Sequence, residues 1–228
     1  MEGALMVQSK GWDWENVNEN YRETHLKPTD DSLNCAVMWK ELGYESVLDL
    51  GAGLGRHSIC FAKNGLKVSA LEISEYGVKH LQDWAAVEKL EIETEIGDML
   101  TMPYPDNSFD CVFAYHVISH SDTVGMKKII GEIERVLKPN GAVYLSFSSK
   151  GTTDFVEATQ PMVDENTMLW MGGADIDGSP IFYASETDIA ELLVNFTIHK
   201  IFQREFYFTH EDGGGKKSEY HYVSATLN

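Results

Sequence analysis

The feature that most constrains this chain is the run Val47-Leu48-Asp49-Leu50-Gly51-Ala52-Gly53-Leu54-Gly55-Arg56. A short apolar stretch, Ser46 to Leu50, stops at the first of three glycines set at alternate positions, and a helical segment begins at once behind them. Glycines there allow a tight turn and let a ligand lie against bare main chain. The helix start offers unpaired N–H groups at the positive end of a dipole. The spacing is Gly-x-Gly-x-Gly. A dinucleotide fingerprint needs its third glycine one position later, where Arg56 stands. The spacing therefore argues against a nicotinamide-dependent oxidoreductase, which stays as an alternative.

From this loop to residue 148, helix-like and strand-like segments alternate. Residues 57–64 read as a helix stopped by Asn64-Gly65, and Lys67 to Leu71 as a second strand. Ser74 caps a helix running to about Lys89, Leu90 to Ile96 alternates as a third strand, and Asp110 to Tyr115 forms a fourth. Met126, Ile129, Ile130, Ile133, Val136 and Leu137 make one apolar helical stripe. Pro139-Asn140-Gly141 is a turn, and Ala142 to Phe147 a fifth strand. Repeated β-α-β units predict an α/β fold with a mostly parallel sheet and helices on both faces. Ser185 caps a further helix to about Asn195. The runs 196–208 and 218–227 read as two long strands around a hairpin loop.

The remaining segments divide the chain into residues 1–45, a helical lead-in or lid, and residues 46–228, the main domain. Within the latter, residues 149–184 read as a lid insertion. Eighteen basic residues against 36 acidic ones give a net charge of −18, and the only basic doublets are Lys127-Lys128 and Lys216-Lys217. Binding a phosphate backbone needs clustered cations, so nucleic acid and anionic membranes are not expected partners. No apolar run of about 18 residues is present. Three cysteines, none in a C-x-x-C pair, and no visible secretory signal suggest a cytoplasmic location.

Two acids sit where a nucleoside needs them. Glu72 lies 21 residues after Gly51, at the end of the second strand, where a carboxylate accepts both ribose hydroxyls. Asp98 and Met99 come after the third strand; the acid can accept from an exocyclic amine and the thioether can pack on a purine face. VLDLGAGLGR, the acidic end of LEIS, GDMLTMPYPDNSFDCV and EIERVLKPNGAVYLSF together resemble the successive motifs of class I S-adenosylmethionine-dependent methyltransferases, in their broad bacterial small-molecule branch. The resemblance covers residues 40–150 and extends more weakly through 185–228.

That resemblance implies a Rossmann-like seven-stranded sheet of order 3-2-1-4-5-7-6 with strand 7 antiparallel. It implies S-adenosyl-L-methionine as cofactor and S-adenosyl-L-homocysteine as product. Asp49, Gly51, Gly53 and Gly55, with Ala52 between them, would hold the methionine moiety. Glu72 would take the ribose with Ile73 against the adenine, and Asp98 and Met99 would fix the base. Tyr115 and His116 would pass near the sulfonium end. Arg56 neighbours this loop, as a structural ion pair or as a cofactor contact. A non-catalytic, cofactor-binding relative remains a second alternative.

Methyl transfer from a sulfonium needs a base only when the acceptor arrives protonated. His116 and His120 are the candidates, and spacing i, i+4 would put them on one face if this stretch is helical. No third ligand accompanies them, so no metal is expected. Trp12, Trp14 and Tyr21 before the core and Trp170 after the fifth strand are expected to line the substrate lid. Between residues 150 and 184, six acids face one lysine, Lys150. That favours a neutral or cationic small-molecule acceptor. A monomer or homodimer is expected.

Overall fold

The structure is a computed structural model that describes residues 11–17, 19–171, 178–209 and 215–228. In chain order the elements are α1 (Glu19–Thr24), α2 (Asp30–Glu41), β1 (Ser46–Leu50), α3 (Arg56–Lys63), β2 (Lys67–Glu72), α4 (Glu75–Glu88), β3 (Ile92–Ile96) and β4 (Phe109–Ala114). They continue with α5 (Thr123–Val136), β5 (Leu137–Ser149), α6 (Thr153–Val156), β6 (Met162–Asp164), β7 (Thr167–Trp170), β8 (Ser179–Ala184), α7 (Glu186–Leu192), β9 (Phe196–Thr209) and β10 (Gly215–Leu227).

Strands β3-β2-β1-β4-β5 lie parallel in that order. The chain then returns antiparallel: β10 pairs β5, and β9 closes the edge against β10. With β10 as seventh strand and β9 as sixth, this is the expected order 3-2-1-4-5-7-6. Residues 149–184 add what periodicity did not show, a small antiparallel ribbon β6-β7-β8. It joins the main sheet where β8 runs parallel to β5 through Ser148 and Ser149. Because β10 already occupies the other side of Ser148, β8 takes the place that β4 leaves when it ends.

Strand alternation explains the two helical layers. On one face Leu48, Leu50, Val112, Val143 and Leu145 pack on the α5 stripe of Met126, Ile129, Ile130, Ile133 and Val136. On the other, Val47, Cys111, Phe113 and Tyr144 pack on Phe61 of α3 and on Ala36 and Trp39 of α2. Trp39 is 1% exposed and stacks on Phe61, and Asp31 of α2 is ion-paired with Arg204 of β9. Residues 30–41 thus pack within this helical layer rather than as a lid. Thr29, Ser74, Asp122 and Ser185 cap α2, α4, α5 and α7 through their side chains. Helix α3 begins instead on Gly55, in left-handed conformation and with no side-chain cap.

Candidate active site

A cavity of about 320 Å³ opens at the carboxyl ends of β1, β2, β3, β4 and β5, the edge at which open α/β sheets take their ligands. Gly51 and Gly53 form its floor, with φ of 68° and 56°. A Cβ at Gly51 would stand 2.2 Å from Val117 Cγ2, and one at Gly53 would stand 3.0 Å from the Trp14 ring. Neither position has room for a side chain.

Glu72, 7% exposed, ends β2 beneath this loop. Its Oε2 accepts the Gly53 N–H at 2.8 Å and its Oε1 accepts the Ser74 N–H at 2.9 Å. Burial raises its pKa, opposed by these backbone donors. Each oxygen keeps a lone pair for a further donor. Asp98 accepts the Leu100 N–H at 2.9 Å, which fixes its carboxylate beside Met99 on the same wall.

The far end of the cavity is aromatic. Trp12 stacks on Trp14 with centroids 5.6 Å apart and meets His120 edge-on at 6.1 Å. Trp170, Ile181 and Tyr183 from the ribbon, and Tyr220 from β10, complete the wall. His57, His116 and His120 all line the space and are all held neutral, chiefly by burial. Burial lowers His116 to about 3 and His120 to about 4; His57 is pushed well below the ordinary histidine value, with Arg56 adding to the effect.

Residues 48–145 match the family model described as "Methyltransferase domain". Sterol 24-C-methyltransferase ERG6B of Gibberella zeae is 39% identical over 98 residues, which is 42% of this chain and 25% of that protein. Norajmaline N-methyltransferase of Rauvolfia serpentina is 31% identical over 146 residues, 61% of this chain and 49% of that protein. A structure of an S-adenosylmethionine-dependent methyltransferase from Methanosarcina mazei superposes with a TM-score of 0.67 at 19% identity, covering 89% of this chain and 99% of that one. Residues 48–145 thus match a methyltransferase domain, and the chain has the fold of an S-adenosylmethionine-dependent methyltransferase. It spans between a quarter and a half of the length of these two curated relatives.

The residues of the methyltransferase domain fit that cofactor. Two glycines whose Cβ positions are blocked floor the cavity, an uncapped helix starts behind them, and two fixed carboxylates stand at the next strand ends. Of the expected cofactor residues, Gly51, Ala52, Gly53, Arg56, Glu72, Ile73, Asp98, Met99, Tyr115 and His116 line the cavity. Asp49 and Gly55 do not. Asp49 shares its strand face with Val47, is 1% exposed, and accepts the Ser58 hydroxyl at 2.5 Å, so it ties β1 to α3 under the loop. Gly55 lets α3 approach α4: a Cβ there would stand 2.4 Å from Leu81 Cδ1. Arg56 donates to the Thr24 carbonyl at 3.2 Å and lies 5.8 Å from the Tyr115 ring centre, joining the loop to the N-terminal segment.

Trp12, Trp14, Trp170 and His120 also line the cavity. The side chain of Tyr21 lies outside the described residues. His116 and His120 do not share a helix; residues 115–122 form an irregular turn between β4 and α5. No group of three metal-ligating residues exists among the described residues. Of the acids in 150–184, Asp154 alone reaches the cavity wall among the described residues, where Lys216 pairs with it. Asp164 is turned to Thr123, and Asp175 and Asp177 lie outside the described residues. Sequence reasoning missed His57, Tyr220 and Tyr222. His57 comes directly after Arg56 in the first turn of α3, where a signal existed. The two tyrosines alternate on β10, and only the pairing of β10 with β5 shows which face they take.

Proposed function

We propose that the protein transfers the methyl group of S-adenosylmethionine to a small molecule seated in the aromatic end of the cavity. Bound there, the cofactor supplies a methyl group already activated on sulfur. The chain's own residues bind and orient: Glu72 takes the ribose hydroxyls, Asp98 the adenine amine, and the Gly51–Gly53 floor the methionine part. Residues 11–17 and the ribbon β6-β7-β8 cover the acceptor and exclude water. Positioning of this kind is a sufficient source of rate for an activated methyl donor.

The observation that carries the reading is continuity. One cavity runs from the glycine floor, past Tyr115 and His116, to Trp12, Trp170 and Tyr183. The only Lys or Arg on its wall among the described residues is Arg56, at the loop end. Neutral imidazoles and aromatic rings at the other end support a neutral or cationic acceptor over an anionic one. The test is calorimetry with S-adenosylhomocysteine, then methyl-transfer assays over amines, thiols, phenols and carboxylates. Heat with the product and turnover with a neutral or cationic acceptor uphold the reading. Binding without turnover across the panel leaves a cofactor-binding protein in its place.

A further inference from the structure

His116 has φ of 54°, and of the non-glycine residues with positive φ among the described residues it is the one on the cavity wall. A left-handed backbone at such a residue costs about 1 kcal/mol or more and persists where its surroundings enforce it. Here β5, β10 and the residue just after β4 do so. Ser146 Oγ of β5 accepts the His116 N–H at 2.6 Å. Tyr115, after β4, and Tyr220 of β10 sandwich the imidazole, with centroids at 4.2 and 4.0 Å and interplanar angles of 22° and 14°. Tyr222 Oη, from a side chain with 0% exposure, lies 2.7 Å from His116 Nε2.

The Tyr222 hydroxyl has one proton and two neighbours, His116 Nε2 at 2.7 Å and Tyr115 Oη at 3.4 Å. Either atom of the shorter contact can be the donor; a phenol O–H is the stronger donor and a neutral imidazole nitrogen the stronger acceptor, which assigns the proton to Tyr222. Burial keeps Tyr222 protonated and His116 neutral. A neutral imidazole that accepts at Nε2 carries its hydrogen on Nδ1. Nδ1 has no hydrogen-bond partner among the described residues, while the ring borders the cavity.

We propose that Tyr222 is a positioning residue: its hydroxyl donates to His116 Nε2, fixes the Nδ1–H tautomer, and so presents one directed donor to a hydrogen-bond-accepting atom of the acceptor molecule. This rests on reading the aromatic chamber as the acceptor site. The acceptor class it selects carries a lone pair near the methylated atom, on a carbonyl, a hydroxyl or an unprotonated nitrogen.

The experiment is long-range proton–nitrogen NMR of the 15N-histidine-labelled full chain near neutral pH, with His116 assigned by its loss in His116→Asn. The expected result is a protonated Nδ1 and an unprotonated Nε2, with Tyr222→Phe moving His116 toward the Nε2–H tautomer. A protonated Nε2 in the unsubstituted protein, or an unchanged tautomer in a folded Tyr222→Phe, overturns the inference. The unsubstituted spectrum decides the tautomer even if the variant does not fold. A parallel titration with S-adenosylhomocysteine separates the two claims. Heat together with the wrong tautomer defeats the dyad alone; absence of heat defeats the site and the dyad with it. For an acceptor found by screening, Tyr222→Phe raises its KM about threefold to tenfold with a smaller change in kcat, the loss expected for one hydrogen bond. A KM unchanged by the substitution overturns the donor role.

Discussion

The rim that carries Gly51, Gly53, Glu72 and Asp98 is built by consecutive turns after β1, β2 and β3, each set by residues beside it in the chain. The chamber opposite draws Trp12 from the N-terminal segment, His116 and His120 from the turn after β4, Trp170 and Tyr183 from the ribbon, and Tyr220 from the last strand. At the rim the polar contacts stay within one turn or join two consecutive turns: Glu72 binds Ser74 and Gly53, and Asp98 binds Leu100. In the chamber the contacts span the chain. His116 meets Tyr222 and stacks on Tyr220, and the Phe182 N–H of the ribbon donates to the Ser119 carbonyl at 2.8 Å. A rim of adjacent turns suits a fixed ligand, whereas a wall of distant pieces can be altered one piece at a time.

The contrast is broken most forcefully by Gly51→Ala. The new Cβ meets Val117 at 2.2 Å on a left-handed backbone, so the variant loses about 2–4 kcal/mol of stability, read from its urea midpoint. It also loses binding of S-adenosylhomocysteine. If it folds and binds normally, the floor is not the cofactor's seat.

Glu72→Ala comes next. Removing charge-assisted bonds to the ribose weakens S-adenosylhomocysteine by about 2–3 kcal/mol, roughly 30-fold to 150-fold by calorimetry. A change under about threefold would detach this acid from the ligand.

Asp49 sharpens the difference between touching the ligand and supporting the loop. Burial raises its pKa to about 6 in the folded protein, against about 3.9 unfolded. The folded state therefore holds its proton more tightly, and this group's contribution to stability falls as pH rises from about 4 to 6, by about 2 kcal/mol. Asp49→Asn flattens that part of the stability–pH curve in denaturant titrations, and cofactor-product affinity changes less than in Glu72→Ala. An unaltered slope would mean that Asp49 is ionised without cost.

The smallest effect on the rim is expected from Trp170→Ala. S-adenosylhomocysteine binding shifts by less than about 1 kcal/mol, while the KM of an identified acceptor rises at least fivefold, the larger change because a buried aromatic wall is lost. Equal losses for both ligands would merge the two regions into one site.

The rim was legible because each device is short-range. Ser74 capping α4, Ser185 capping α7 and the stripe on α5 are decided by residues three or four apart, and the chain folds them as read except that α5 stops at Val136 and Leu137 opens β5. Asp49 misled because a motif names the residue but not its face; strand alternation turns it toward Ser58 and α3. The histidine pair lines the cavity without sharing a helix face, because spacing i, i+4 has meaning only in a helix and His116 adopts φ of 54° just past β4. The ribbon β6-β7-β8 was hidden because its strands are short and its pairing partner, the end of β5, lies a long way back in sequence.

By itself, the sequence determined the order of β-α units, the glycine floor and the acids at the strand ends, since backbone freedom, capping and periodicity act over a few residues. Only the tertiary structure decided that β10 places Tyr220 and Tyr222 around His116, that β8 pairs with β5 where β4 stops, and that Trp14 packs against Gly53. Those contacts depend on which distant strands and segments share an edge or a face, and neighbours in sequence carry no record of that pairing.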